Sequence, residues 1–298
     1  MTRRLKAVII DGETGGRWHR WEETTPLLVL ALEETGIFDV EVVTLSDSSV
    51  VAATDAPDFP SYDVVVLNYD APDERWSPEA KQAFELYVGG GGGVVVYHGA
   101  DNSFPDWQAY NEMIALGGWR DRDERAGHYC YLVGGKVVTD DASGPTGSHG
   151  RRLPFPVMAR RPDHPVLRGL PTTWMHHADE LYDRLRGPAV GLANMTVLAS
   201  AFSPPGNQGT GRDEPMLMTV EWGEGRIFHT TLGHDAMSMS CVGFWTTLQR
   251  GCEWAATGDV TQPVPESFPT ATHVLYRPDV VERDPVYGAG LNPIDAVR

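Results

Sequence analysis

The chain has 298 residues, with 24 Lys and Arg against 41 Asp and Glu, which gives a formal net charge of −17 at pH 7. The length suits one large α/β domain or two small ones, and a hydrophobic content of 41% supplies a sizeable core. The negative charge argues against nucleic-acid or anionic-membrane partners, which need Lys and Arg to neutralise phosphates. No apolar run is long enough for a membrane span or a signal peptide, so we expect a cytoplasmic protein.

The first half of the chain alternates strand-like and helix-like segments. The second of two predicted helices has Ser77 in position to cap its N-terminus and Pro78 at its first turn. Because the strands are apolar on both faces, we expect a parallel sheet covered by helices on each side. The predicted strands are 6–10, 40–45, 62–68 and 94–97, and the predicted helices are 27–35 and 78–88.

Five consecutive glycines, 89–93, invite comparison with a phosphate-binding loop. Such a loop follows a strand, opens a helix and ends in Gly-Lys-Ser/Thr, whereas this run follows a predicted helix and precedes a strand. We therefore interpret it as a helix end followed by a turn.

The second half is richer in β-structure and more interrupted. Strands are predicted at 127–133, 136–139, 196–199, 215–222 and 225–231, with a hairpin joining the last two through Gly223 and Glu224, and a helix at 244–255. Segments 141–154 and 203–211 have no structural pattern, and we interpret both as insertions rather than lids. We divide the chain into a domain of residues 1–258 and a Pro-rich extension, 259–298, expected to pack on its own domain or on a second copy in a homo-oligomer.

One segment has the shape of a nucleophile elbow but carries a histidine at its apex. His98 follows the apolar strand 94–97 and precedes Gly99. Imidazole is suited to binding a metal or moving a proton rather than to lasting acyl chemistry. Asp101, three residues further on, has two interpretations: it caps a following helix, or it orients His98 or takes a proton from a substrate.

Two further histidines are expected at the same edge of the sheet. His19 lies in the loop after the first strand and His234 follows the strand 225–231. Loops after parallel strands share one edge, where ligands bind. Together with His98 they predict a divalent metal site, although no HxxxH spacing is present. Glu180 is the expected fourth ligand or the base, and imidazole with one carboxylate favours zinc over magnesium or calcium.

The three cysteines, Cys130, Cys241 and Cys252, show no CxxC spacing. An odd number without such spacing argues against a disulfide framework or a zinc ribbon. We expect small buried core residues with reduced thiols. A cysteine-dependent hydrolase using Cys130 or Cys241 is a weaker alternative, because neither cysteine ends a strand within an elbow.

An ordered series of short motifs resembles the trehalose-utilisation protein ThuA-like family. The segments that carry the resemblance are 98–100, 163–170, 179–182, 223–234 and 254–255, and the similarity runs from the first strand to about Ala256. It implies a flavodoxin-like, three-layer α/β fold akin to class I glutamine amidotransferases, with a mainly parallel sheet, a β-rich second half and His98 where the amidotransferase cysteine stands. The chain departs from the family pattern at 203–214 and after Thr257.

The same resemblance implies a role in sugar catabolism, especially of disaccharides oxidised to 3-keto sugars, and some members look like divalent-metal binders. We therefore expect a metal-dependent hydrolase, lyase or isomerase in which Asp101 or Glu180 moves the proton. A non-catalytic sugar sensor that uses the same cleft is the alternative. The expected substrate contacts are Tyr182, Trp119, Trp107 and His128.

Overall fold

The computed structural model describes residues 3–16, 18–45 and 49–282. The last part of the predicted extension, 283–298, lies outside the described residues. Those described residues contain seven α-helices and twelve strands. The helices are α1 (Trp21–Glu33), α2 (Pro78–Gly89), α3 (Gln108–Ile114), α4 (Ala189–Ala193), α5 (Ala236–Met239), α6 (Val242–Thr257) and α7 (Pro278–Val281). The strands are β1 (Leu5–Asp11), β2 (Phe38–Thr44), β3 (Val64–Leu67), β4 (Gly93–Tyr97), β5 (His128–Val133), β6 (Lys136–Asp140), β7 (Leu153–Ala159), β8 (Thr173–Asp179), β9 (Arg186–Gly187), β10 (Met195–Phe202), β11 (Asp213–Trp222) and β12 (Gly225–Thr230).

The strands form one sheet with a parallel part and an antiparallel part. The order β2-β1-β3-β4-β12 is parallel throughout, and the sheet continues through β11-β10-β7-β8 with antiparallel pairing. The parallel part has the 2-1-3-4-5 strand order of flavodoxin-like folds. The predicted fold class is therefore confirmed, including the β-rich second half.

The inner strands of the parallel part, β1, β3, β4 and β12, are largely buried on both faces, whereas the edge strand β2 is buried only at Phe38. In β1 the side chains of Ala7 and Ile9 join the core beneath α1 and α6, while Val8 and Ile10 join the core beneath α2 and α3. Alternate residues of a strand point to opposite faces. This two-sided burial explains why the inner strands carry consecutive apolar residues.

Several local predictions agree with the structure. Helix α2 begins at Pro78, and the hydroxyl of Ser77 accepts a hydrogen bond from the amide of Ala80 at 3.2 Å. The turn at Gly223 and Glu224 joins β11 to β12 as an antiparallel hairpin, with Trp222 paired to Gly225. These features depend on neighbours in the chain, which is why the pattern predicts them.

The structure differs from the predictions at helix α1 and at strands β7 and β8, among other elements. Helix α1 begins six residues before the predicted start and contains Pro26, although proline is typical of a helix start rather than its interior. Strands β7 and β8 were not expected. Strand β7 contains Pro154 and Pro156, and prolines in a run argue against a strand because they cannot donate to the ladder.

Residues 259–282 of the extension pack on the domain from which they emerge. The amide of Val242 donates to the carbonyl of Leu275 at 3.0 Å, and the amide of Arg277 donates to the carbonyl of Ser240 at 2.9 Å. The Arg277 guanidinium lies over the ring of Trp245. Among the described residues, no helix is long and apolar enough to cross a membrane.

Candidate metal centre

The candidate site lies at one edge of the sheet, and its residues come from four loops or strand ends. His98 directly follows β4, His234 follows β12, and His19 lies between β1 and α1. Glu180 directly follows β8, from the antiparallel part of the sheet. The carboxyl ends of the parallel strands meet at this edge, where ligands bind in flavodoxin-like folds.

The structure brings His19, His98, Glu180 and His234 together, with one ligand-type atom of each within 4.8 Å of the others. Nε2 of His98 is 3.2 Å from Nδ1 of His234. Oε2 of Glu180 is 3.1 Å from Nδ1 of His234 and 3.8 Å from Nε2 of His98. Side chains separated by up to 215 positions in the sequence therefore converge on one point.

The outer nitrogens of two of these rings are held by acceptors. Nδ1 of His98 lies 2.7 Å from the carbonyl oxygen of Thr231, and Nδ1 of His19 lies 3.1 Å from Oδ2 of Asp70. A carbonyl and a carboxylate accept hydrogen bonds, so each Nδ1 carries a hydrogen and each ring turns its Nε2 atom toward the cluster.

Burial and mutual contacts set the charge states of the cluster. Burial and the neighbouring imidazoles of His19 and His234 lower the pKa of His98 to about 3, so His98 is neutral at pH 7. Burial raises the pKa of Glu180, but the hydrogen bond and charge of His234, with the other imidazoles, lower it to about 2. Burial lowers the pKa of His234, but Glu180 raises it above its ordinary value. The ionised Glu180 thus lies near the neutral ring of His98 and favours the charged form of His234.

The backbone at this edge is strained at two places. His98 has φ +43°, in the left-handed region that non-glycine residues rarely adopt, and so do Trp119, Arg120 and Asp121 with φ +52°, +47° and +58°. The first agrees with the predicted elbow. Such conformations cost free energy and concentrate where side chains must be held for function.

A cavity of about 420 Å³ opens beside the cluster. Tyr182 and Trp119, both predicted substrate contacts, line it, and their ring centroids are 4.5 Å apart. Trp18 stands at the cavity with 62% of its surface exposed. The residues that line the cavity are Gly15, Trp18, His19, Asp70, Asn102, Trp119, Arg120, His149, Glu180, Tyr182 and His234.

Three predicted site residues lie elsewhere. Asp101 is fully buried, with Oδ2 at 3.6 Å from Nε2 of His229. Its carboxylate therefore lies beneath the surface and does not reach a substrate directly, which corrects the predicted role in taking a proton. Its five-residue turn is a 3-10 helix, not the start of α3. Trp107 packs in the core and donates to Glu85. His128 contacts Asp141 and is not among the cavity-lining residues.

Asp70 and His149 are site residues that the sequence reasoning missed. Asp70 follows β3, a strand whose loop was expected at this edge, and also pairs with Arg120 at 2.6 Å. The Nε2 atom of His149 is 3.5 Å from Oε1 of Glu180. His149 belongs to the segment 141–154, which therefore contributes a residue to the cavity wall. Asn207, from the segment 203–211, forms two hydrogen bonds with the backbone of Arg151 and so holds the segment 141–154 in place.

Asp179 joins the backbone on either side of the cluster. It is buried and accepts hydrogen bonds from the amides of Gly233 at 2.7 Å and His234 at 3.1 Å. Its Oδ2 is 2.8 Å from Nε2 of His176. Burial raises the pKa of Asp179, but these contacts, His176 foremost, lower it well below the usual range. The carboxylate therefore fixes His234 relative to its own neighbour, Glu180.

The cysteines are placed as predicted. Cys130, Cys241 and Cys252 are free and buried, with at most 1% of their surfaces exposed. None lines the cavity beside the histidines. Their positions favour packing over nucleophilic chemistry.

The fold and this edge define a flavodoxin-like α/β protein with a histidine and carboxylate cluster at the carboxyl ends of its parallel strands. Residues 6–255 match the family model ThuA, described as trehalose utilisation. The chain belongs to the ThuA family, so the resemblance drawn from its motifs is confirmed. Membership in this family supports a role in sugar metabolism.

Solved structures support the assignment. A ThuA-like protein from Parabacteroides merdae is 43% identical, with 93% of this chain and 99% of that chain covered and a TM-score of 0.87. A ThuA-like protein from Bacteroides uniformis (18% identity, 87% and 94% covered, TM-score 0.58) and a cytoplasmic protein from Salmonella typhimurium (14% identity, 84% and 99% covered, TM-score 0.52) share the fold. None of the curated proteins compared matches the chain.

Proposed function

We propose that the chain is a carbohydrate-metabolising enzyme that holds one divalent cation, most simply zinc, and acts on a sugar or keto-sugar in the adjoining cavity. The reaction would be a hydrolysis, an elimination or an isomerisation. The observation that carries this proposal is the convergence of His19, His98, His234 and Glu180 within 4.8 Å beside a cavity.

The spacing of the donor atoms suits a transition metal. With zinc–nitrogen bonds of about 2.0 Å, two ligands at a tetrahedral angle lie about 3.3 Å apart. The corresponding distance between Nε2 of His98 and Nδ1 of His234 is 3.2 Å, and that between Nδ1 of His234 and Oε2 of Glu180 is 3.1 Å. Three imidazoles and one carboxylate favour zinc or another first-row metal over magnesium and calcium, which prefer oxygen ligands.

The hydrogen-bonding state of the rings also suits a cation. Nδ1 of His19 donates its hydrogen to the Asp70 carboxylate, and Nδ1 of His98 donates its hydrogen to the Thr231 carbonyl. Their Nε2 lone pairs then face a common space, together with the ionised Glu180. Acceptors grouped in this way can bind a cation in place of the hydrogen-bond donors that face them, such as the Tyr182 hydroxyl at 2.8 Å from Nε2 of His98.

The chain supplies the remaining requirements of a sugar site. A divalent cation at this position would polarise a carbonyl or hydroxyl oxygen of the substrate. Glu180 serves as the fourth ligand or as the base that takes a proton, and His149 holds its second oxygen. Trp119 offers an aromatic face to a sugar ring, while Asn102 offers hydrogen bonds from the cavity wall.

Metal content tests the first half of the proposal. Protein purified without added metal is analysed for transition metals and then titrated with zinc, using His98→Gln and His234→Gln as site variants. The control is His128→Gln, which removes an imidazole that does not line the cavity. We expect near-stoichiometric zinc in the wild type and control, with binding lost in the site variants. Less than about 0.1 equivalent of any transition metal, with no response to zinc, would count against the site.

Turnover tests the second half. Trehalose, other disaccharides and their 3-keto derivatives are incubated with the protein, with and without a chelator, and products are followed by mass. A product that disappears with the chelator supports a metal-dependent enzyme. Tight binding without any product, retained in Glu180→Gln, would instead support the sugar-sensor alternative.

Two further expectations stay predictions. One is a cytoplasmic location, and the other is that the extension after residue 258 contributes to a homo-oligomer. Light scattering of the full chain and of a version ending at residue 258 would measure the second.

A further inference from the structure

The hydroxyl group of Tyr182 lies between two of the four converging side chains. Its oxygen is 2.8 Å from Nε2 of His98 and 3.2 Å from Nε2 of His19. The side chain is only 1% exposed, and its ring centroid is 4.5 Å from those of both His98 and Trp119. Packing therefore holds the ring in place, and only the hydroxyl hydrogen is free to rotate.

Counting hydrogens shows what this hydroxyl does in the cluster. Nδ1 of His98 and Nδ1 of His19 each carry a hydrogen, because each faces an acceptor, the Thr231 carbonyl and the Asp70 carboxylate. When each ring carries only this one hydrogen, its Nε2 atom is an acceptor that faces the Tyr182 hydroxyl. Tyr182 has one hydroxyl hydrogen, so it donates to one of these two nitrogens at a time, and a second nearby donor is Nδ1 of His234, 3.2 Å from Nε2 of His98.

We propose that Tyr182 donates its hydroxyl hydrogen to Nε2 of His98 or of His19 in the metal-free protein. Once these nitrogens bind a cation, it donates the hydrogen to a sugar oxygen in the cavity. This inference rests on the proposed function. A nitrogen lone pair that binds a cation cannot also accept a hydrogen bond. His98 and His19 then cease to be acceptors for Tyr182.

The released hydroxyl needs a new acceptor. A buried hydroxyl without a partner costs free energy, and Tyr182 is one of the residues that line the cavity. Rotation about the bond between the ring and the oxygen redirects the hydrogen without moving the ring. The oxygen atoms of a sugar, as hydroxyl or carbonyl groups, provide that acceptor. Tyr182 is therefore assigned as the residue that couples cation binding to sugar binding.

Loss of the Tyr182 hydroxyl should change the affinities for zinc and for a sugar in opposite directions. Tyr182→Phe removes the hydrogen bond that competes with the cation, so the zinc affinity of the sugar-free protein should rise about two- to tenfold, the range of one ordinary hydrogen bond. The affinity of the zinc-loaded protein for a sugar should fall by a similar factor. If Tyr182 were instead a direct ligand, its loss would weaken zinc binding.

Zinc affinity measured by competition with a chromophoric chelator separates these cases. The proteins are the wild type, Tyr182→Phe and the matched control Tyr131→Phe, whose ring lies in β5 against Arg212. Circular dichroism checks that each is folded. Calorimetry then measures the binding of trehalose and of its 3-keto derivative at saturating zinc. Tighter zinc binding in Tyr182→Phe alone, with weaker binding of the sugar that the wild type binds, is the expected result.

Each other outcome has a distinct meaning. Zinc affinity that is unchanged or lower in Tyr182→Phe, while the wild type binds zinc, overturns this inference and leaves the proposed function standing. A sugar bound equally well by both zinc-loaded proteins overturns the coupling. If the wild type itself takes up no zinc, the proposed function fails and this inference fails with it.

Discussion

Gly99 lies directly against the imidazole ring of His19. A Cβ atom added to Gly99 would stand 2.5 Å from Nδ1 and 2.7 Å from Cε1 and Cγ of that ring. Real Cβ atoms do not come so close to other heavy atoms. The glycine after His98 therefore makes room for the histidine that arrives from the loop after β1, and any larger residue would push the two imidazoles apart.

The first prediction is that Gly99→Ala weakens zinc binding by more than about tenfold, because displacing the ring of His19 removes one ligand. Chelator competition measures the affinity. Gly206→Ala is the control, since no heavy atom lies within 4 Å of a Cβ at that position. Equal zinc affinities for the two variants would mean that His19 is not a ligand.

The second prediction concerns the carboxylate that orients His19. Asp70→Asn should lower zinc affinity about 10- to 100-fold, because the carboxylate fixes the ring and makes it a better donor. Asp39→Asn is the control, since this carboxylate is more than half exposed and pairs with Arg4 at the surface. Zinc titration of both variants gives the comparison, and wild-type affinity in Asp70→Asn would remove Asp70 from the site.

The third prediction is a pH-dependent stability that originates at Glu214. This side chain is only 2% exposed, and its burial raises its pKa to about 7, although the Thr210 hydroxyl, which donates to it at 2.6 Å, lowers it. In the unfolded chain a glutamate has a pKa of about 4.3. The folded state therefore binds the proton more tightly, so the associated stability is complete below pH 4.3 and is lost as the pH rises through 7.

The expected loss is about 3 kcal/mol in the free energy of unfolding between pH 4 and pH 8. Glu214→Gln stays neutral and should lack this part of the pH dependence, so its stability relative to the wild type rises with pH. Urea unfolding at several pH values measures the difference. Glu221→Gln, at an exposed position, is the control. A constant difference between the wild type and Glu214→Gln at all pH values would contradict the prediction.

The fourth prediction is that the thiols are unreactive in the folded protein. Burial raises the pKa of Cys130 to about 12, while for Cys241 the charge and hydrogen bond of His176 outweigh burial and lower it. Access, rather than the thiolate population, should limit Cys241, which is fully buried. Ellman's reagent should label none of the three cysteines in native protein and all three in urea. Rapid native labelling of Cys241 would revive a cysteine-dependent reaction.

Local sequence patterns were sufficient to predict several of the strands and helices that position the candidate site. The apolar run before His98 predicted β4 because a strand buried on both faces has no polar alternation. The Ser77 cap and the Gly223-Glu224 turn predicted the start of α2 and the hairpin, since both depend on residues adjacent in the chain. The shared edge of parallel strands then placed the loops of His19 and His98 together.

The sequence alone thus determined the α/β class, the edge at which the candidate site lies and the residue types available there. Only the tertiary structure decided that Asp101 and Trp107 are enclosed, and that Asp70, His149 and the hydroxyl of Tyr182 join the cluster. Asp70 lies 51 positions along the chain from His19, and Tyr182 lies 163 positions from it. Helix and strand periodicity reports only which face of one element is buried, so it carries no information about which distant side chains meet.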